Sequence, residues 1–88
     1  MSSMEEARYR AMTEANATAI FTVYNSPKDM PGFFVVRMHI ANKDGSRPTD
    51  YAWTFLDLWD ARSALEREGL IPIERDPNDD PVIVECWV

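Results

Sequence analysis

Residues 33–41 alternate between two faces of different character, and this alternation constrains the fold more than any other feature of the sequence. Successive side chains of a strand point to opposite sides of its sheet. One face is purely apolar and contains Phe34, Val36, Met38 and Ile40, whereas the other is mixed and contains Phe33, Val35, Arg37, His39 and Ala41. The segment therefore predicts a strand that packs its apolar face on a core and carries polar groups on the other.

Four further segments have strand character, because they are rich in β-branched and aromatic residues and are bounded by turn residues. They are residues 19–25, 51–56, 70–75 and 82–88. Residues 25–32 contain two prolines and a glycine, which predicts a stiff loop, and residues 42–50 predict a turn followed by a mobile loop.

Strict alternation also divides the last strand into two faces. It assigns Val82, Val84, Cys86 and Val88 to the core and leaves Ile83, Glu85 and Trp87 on the opposite side.

Two helices are indicated by capping residues. Ser3 and Glu6 fit a capping box before a helix over residues 4–15, although its small side chains bury little. Residues 1–17 are therefore either a loosely docked helix or a flexible tail outside the core. Asp57 is a favourable N-cap for a second helix over residues 58–68, with Gly69 as its stop.

These elements predict one α+β domain over residues 1–88, with a four- to five-stranded, mainly antiparallel sheet and the helix 58–68 packed on one face. One short helix covers only part of one sheet face. The opposite, mixed face is too apolar to stand entirely in water, so we expect the N-terminal helix, a second subunit or a ligand to cover part of it.

The charge balance disfavours direct binding of nucleic acid. The chain has 15 acidic and nine basic residues, and residues 57–88 alone carry nine acidic against three basic groups. Such a chain repels phosphate backbones. The acidic excess favours solubility, and a second interpretation is an acidic inhibitor that mimics nucleic acid and blocks a nucleic-acid-binding protein.

The cysteine content and the short apolar runs indicate a cytoplasmic protein without membrane segments. Cys86 is the only cysteine, so an intramolecular disulfide is excluded, and its place in the strand predicts an inert core residue. The acidic residues Asp76, Asp79 and Asp80 do not have the spacing of an EF-hand loop and fit a solvated turn. We therefore expect no metal and no cofactor.

The mixed sheet face supplies the candidate binding residues, which are Tyr24, Arg37, His39, Glu85 and Trp87. Recognisable catalytic motifs are missing, so the leading prediction is a non-enzymatic protein-binding or accessory module whose partner is another protein or a second copy of the chain. The alternative is a small hydrolase or isomerase that uses His39 with Arg37 and Glu85. The helix residue Arg62 is expected to pair with a carboxylate, either Asp29 or Glu85.

Several short motifs over residues 20–88 resemble a family of small uncharacterised bacterial and phage proteins. The motifs are Tyr24 with Pro27-Lys28-Asp29-Met30-Pro31, then Phe34-Val35-Val36-Arg37, Asp60-Ala61-Arg62, Gly69-Leu70, and Asp79-Asp80-Pro81-Val82-Ile83-Val84-Glu85 with Trp87. The resemblance implies a compact cytoplasmic protein but carries no activity to transfer. The first seventeen residues lie outside it.

Overall fold

The computed structural model, which describes residues 3–74, 76, 78 and 80–88, is an α+β fold with a five-stranded sheet. The elements in chain order are α1 (Met4–Glu14), β1 (Thr18–Asn25), β2 (Phe34–Asn42), β3 (Gly45–Phe55), α2 (Leu58–Arg67), β4 (Pro72–Ile73) and β5 (Ile83–Trp87). The strand order is β3-β2-β1-β5-β4, and every neighbouring pair is antiparallel. The predicted fold class is confirmed.

Both helices begin at the predicted caps. The Ser3 side chain accepts a hydrogen bond of 3.1 Å from the backbone N–H of Glu6, and the Asp57 carboxylate accepts one of 2.8 Å from the N–H of Asp60. Each cap satisfies a backbone donor that has no partner inside the first helical turn. Gly69 follows α2 with a φ of +74°, a conformation that glycine adopts without the steric cost of a side chain.

The core lies on one side of the sheet, between the strands and both helices. The apolar face predicted for β2 is confirmed, since Val36, Met38 and Ile40 are buried there and Phe34 packs against them. From α2 come Leu58, Ala61 and Leu65, and from α1 come Met4, Ala7 and Ala11. The N-terminal segment is therefore a helix of the core and does not cover the opposite sheet face.

The third strand is longer than predicted. Asn42 pairs with Gly45, so only Lys43 and Asp44 form the turn, and the prediction of a mobile loop over residues 42–50 is wrong. The ladder contains an irregularity between Arg37 and His39, where β3 inserts additional residues. Because β3 is an edge strand, Pro48 is tolerated in it despite having no N–H to donate.

An irregularity in β5 reverses the face assignment of its C-terminal half. Val23 pairs with Glu85 but Tyr24 pairs with Ile83, so Val84 is an extra residue between two normal pairs. Such a bulge shifts the alternation by one residue. Trp87 then lies opposite Phe21 in the core and is 3% exposed, whereas Cys86 lies opposite Thr22 on the other face. The predictions that Cys86 and Val88 are core residues and that Glu85 and Trp87 face away from the helices are wrong, since Val88 is 44% exposed.

Candidate functional site

The sheet face opposite the helices, which we call the open face, combines all five strands. Residues that pair directly across two strands point to the same face of the sheet. The strand register therefore assigns these residues to the open face: Thr18, Ile20, Thr22, Tyr24, Val35, Arg37, His39, Ala41, Ser46, Pro48, Ala52, Thr54, Ile73, Ile83 and Cys86. Ile71 and Val88 extend it, because each donates its N–H to the other's carbonyl, at 2.8 and 2.9 Å.

Charge is nearly absent from the open face. Arg37 is the only charged residue among those that form it, although 27% of the chain is charged. The Arg37 guanidinium already has partners within the chain. It donates a 3.0 Å hydrogen bond to the carbonyl of Thr49 and lies 3.8 Å from the carboxylate of Asp29. The face therefore has the depletion of charge that is typical of the central part of a protein interface.

Apolar side chains are exposed at one corner of the open face. Ile71 is 67% exposed, Ile73 45% and Val88 44%, and the register places all three beside one another. They are not among the predicted binding residues. A signal was present, because the predicted strand over residues 70–75 alternates Leu70 and Pro72 with Ile71 and Ile73, and Leu70 is the buried one.

Three of the five predicted binding residues meet on the open face. The Tyr24 hydroxyl and the His39 Nε2 are 3.0 Å apart, their rings are stacked, and Arg37 is their neighbour on the same face. Burial lowers the pKa of the His39 imidazole below its ordinary value of 6.5, and the positive charge of Arg37 lowers it further. Burial also raises the pKa of the Tyr24 phenol. Both side chains are therefore neutral near pH 7.

The other two, Glu85 and Trp87, lie on the helix side of the sheet. Arg62 of α2 holds Glu85 in a two-pronged ion pair, with Nη2–Oε1 at 2.7 Å and Nε–Oε1 at 3.1 Å. The Trp87 indole N–H donates to the same carboxylate at 2.5 Å. This confirms the predicted pairing of Arg62 with Glu85 rather than with Asp29.

The hydrolase or isomerase alternative requires a carboxylate beside His39, and the two candidates, Glu85 and Asp29, do not contact it. Glu85 is separated from His39 by the sheet, and Asp29 contacts Arg37 rather than the imidazole. Among the described residues, the hydrogen-bond partner of His39 is Tyr24, a neutral group that cannot stabilise an imidazolium as a carboxylate does.

The acidic segment after β4 forms local turns. Asp76 Oδ1 accepts from the N–H of Asn78 at 2.9 Å, and Asp80 Oδ1 accepts from the N–H of Val82 at 3.0 Å. These are the short-range contacts that make Asp frequent in turns. Asp79 lies outside the described residues, as does Arg75 at the end of the predicted strand 70–75. No group of His, Cys, Asp or Glu in the described part of the chain could hold a metal ion.

Comparisons with protein families, with curated proteins and with solved structures find no match. The resemblance to small bacterial and phage proteins therefore remains a prediction. Within the described ranges, no helix has the length and apolarity needed to cross a bilayer.

The depressed pKa of His39 predicts a pH dependence of stability. The unfolded chain binds a proton at His39 near pH 6.5, whereas the folded chain does so only at lower pH. The contribution is therefore complete above pH 6.5 and is lost as the pH falls through the unfolded value towards the folded one. We expect the wild type to lose more stability than H39Q between pH 7.5 and 5.5, measured by urea unfolding at each pH. Equal losses would contradict a neutral, half-buried His39.

Proposed function

We propose that the chain is a non-enzymatic protein-binding module that self-associates through the open face of its sheet. The observation that carries the proposal is the composition of this face, where exposed isoleucines and a valine adjoin a surface with a single charged residue. A module of this kind fits a reducing, cytoplasmic setting, because the only cysteine, Cys86, contacts Thr22 at 3.7 Å and has no disulfide partner within the chain.

A second copy is the favoured occupant because of the charge distribution. A chain with a net charge of −6 repels its own copy across most of its surface. Two open faces can meet with little repulsion, since Arg37 is the only charged residue among the paired residues of each and the Asp29 carboxylate beside it offsets its charge. Apolar side chains of the Ile71, Ile73 and Val88 corner can pack against their equivalents about a twofold axis, the commonest symmetry of homo-oligomers.

The open face spans the width of the sheet, although Val35 and Thr22 within it are only 2% and 6% exposed. Five strands spaced about 4.8 Å apart give a surface roughly 24 Å wide. Stable protein interfaces bury roughly 800 Å² on each partner. Burial of the exposed isoleucines would supply the hydrophobic contribution.

The proposal is tested by placing a charge on the open face and comparing it with the same change elsewhere. Ile71→Lys puts a cation in the proposed contact, whereas Leu56→Lys changes a side chain that is also mostly exposed but precedes α2. We expect the dissociation constant of the wild-type dimer to rise at least about tenfold in I71K, equivalent to about 1.4 kcal/mol. Sedimentation equilibrium measures it.

Leu56→Lys should leave the dissociation constant unchanged. Because Ile71 and Leu56 are both exposed, neither substitution should unfold the monomer, which circular dichroism checks. An equal effect of the two substitutions, or no effect of either on a dimeric wild type, would place the contact elsewhere.

A further inference from the structure

A groove on the helix side of the sheet runs between α2 and the edge formed by β4 and β5. Its volume is about 520 Å³. Trp59 and Glu66 line it from α2, and Pro72 and Glu74 line it from the opposite wall. The base of the groove lies on the other side of the sheet from the open face, because Glu85 and Trp87 point towards the helices, and Ile73 at the sheet edge is the one lining residue that the groove shares with that face.

The base of the groove is already satisfied by internal contacts. Arg62 is paired with Glu85 through two nitrogens, and the Trp87 indole N–H bonds the same carboxylate. Because these three side chains hydrogen-bond to one another, we expect them to form a fixed surface at the base of the groove rather than to bind a ligand directly.

The walls, in contrast, carry an exposed indole and two carboxylates that belong to no ion pair of the described residues, although the charge of Glu66 also acts on Arg62. Trp59 is 75% exposed, which is unusual for the largest aromatic side chain. Neither Glu66 nor Glu74 forms an ion pair with a residue that the structure describes. The groove therefore offers a ligand the Trp59 indole and the Glu66 carboxylate on the α2 wall, and the Glu74 carboxylate on the opposite wall.

We infer that this groove binds an arginine side chain of a protein partner. A guanidinium is planar, stacks on an indole and donates two parallel hydrogen bonds to a carboxylate. The groove offers both kinds of contact, and its three carboxylates outnumber the single guanidinium of Arg62. The carboxylates attract the positive charge of the guanidinium, and the Trp59 indole beside them offers a flat surface for stacking.

Other ligand classes fit the groove less well. An anion would meet the carboxylates of Glu66 and Glu74. A purely apolar segment would remove those carboxylates from water without providing a partner, which is unfavourable. A lysine would pair with a carboxylate but lacks the planar group that stacks on Trp59.

The test uses a short peptide with one arginine between two leucines, together with its lysine and citrulline counterparts. Citrulline keeps the shape of arginine but removes its charge. The indole N–H signal of Trp59 in ¹⁵N NMR reports binding, with the signal of Trp53, which does not line the groove, as the internal reference. We expect the arginine peptide to shift the Trp59 signal saturably, and the citrulline peptide to bind roughly tenfold more weakly.

Charge-matched variants distinguish the groove from general attraction to an acidic protein. E66Q/E74Q should weaken the arginine peptide by roughly threefold to tenfold. The control E5Q/D44N has the same net charge but changes exposed residues of α1 and the β2–β3 turn, and it should bind as the wild type does. Equal weakening in both variants, or no saturable shift of Trp59, would overturn the inference.

Independence from self-association is checked with I71K. This substitution changes the open face and should leave the affinity for the arginine peptide unaltered. A failure of the peptide to bind to a dimeric wild type would therefore contradict the arginine groove while leaving the proposed function intact.

Discussion

Replacement of Trp87 by alanine is expected to lower the free energy of unfolding by about 3–5 kcal/mol, the usual cost of truncating a buried tryptophan. Trp87 is almost fully buried, lies opposite Phe21 and donates its indole N–H to Glu85. A domain of this size has a stability of only about 5–10 kcal/mol. Urea unfolding followed by circular dichroism measures the loss.

The matched control is the neighbouring residue Cys86. It lies on the open face and touches Thr22, so Cys86→Ala should cost less than about 1 kcal/mol. Strict alternation along β5 would give the opposite order, with Cys86 in the core and Trp87 outside. A larger loss for C86A than for W87A would therefore contradict the bulge at Val84.

Removal of Arg62 is the second change with a large expected effect. In Arg62→Ala, the Glu85 carboxylate, whose side chain is only 12% exposed, loses its cation and several hydrogen bonds. Removing one partner of a buried ion pair costs about 3–5 kcal/mol. Because Arg62 is partly exposed to water, we expect a smaller loss of stability, about 2–3 kcal/mol. Thermal or urea unfolding measures the difference.

Two further variants identify the cause. Arg67→Ala removes an exposed arginine from the last turn of the same helix and should cost no more than about 0.5 kcal/mol. Glu85→Gln in the Arg62→Ala background removes the unpaired charge and should restore part of the stability. If the double variant is as unstable as R62A, the loss arises from packing of the arginine stem rather than from the charge.

The parts of the fold that depend on local physics were predictable from sequence. The apolar face of β2 follows from alternation, and both helix starts follow from side chains that can accept hydrogen bonds at an N-cap. The antiparallel pairing of β1 with β2 and of β2 with β3 follows from the short connections between these strands, whereas the pairing of β1 with β5 does not. In each case the deciding residues are neighbours in the chain.

The face assignment in β5 was not predictable from alternation alone, because the segment from Val82 to Val88 is apolar on both sides of Glu85. A longer-range argument gives the correct answer. A pair between Arg62 of the helix and Glu85 requires Glu85 to face the helix, and it then carries Trp87 to the same side. The larger apolar area of Trp87 relative to Cys86 points in the same direction.

The position of α1 depends on tertiary packing that its own sequence does not specify. Its buried residues Met4, Ala7 and Ala11 are mostly small, which suggested weak docking. Small side chains instead allow the helix to lie close to the sheet, and Arg8 adds a 2.9 Å hydrogen bond to the carbonyl of Glu68 at the end of α2. With both helices on one side, neither of them covers the opposite face.

Self-association through that face is the central claim, and the mass of the wild-type chain in solution tests it most directly. Sedimentation equilibrium over roughly a hundredfold range of protein concentration separates a monomer from a reversible dimer. We predict a species of twice the 10.1 kDa chain mass that dissociates on dilution. A mass of 10.1 kDa at every concentration would contradict the proposal.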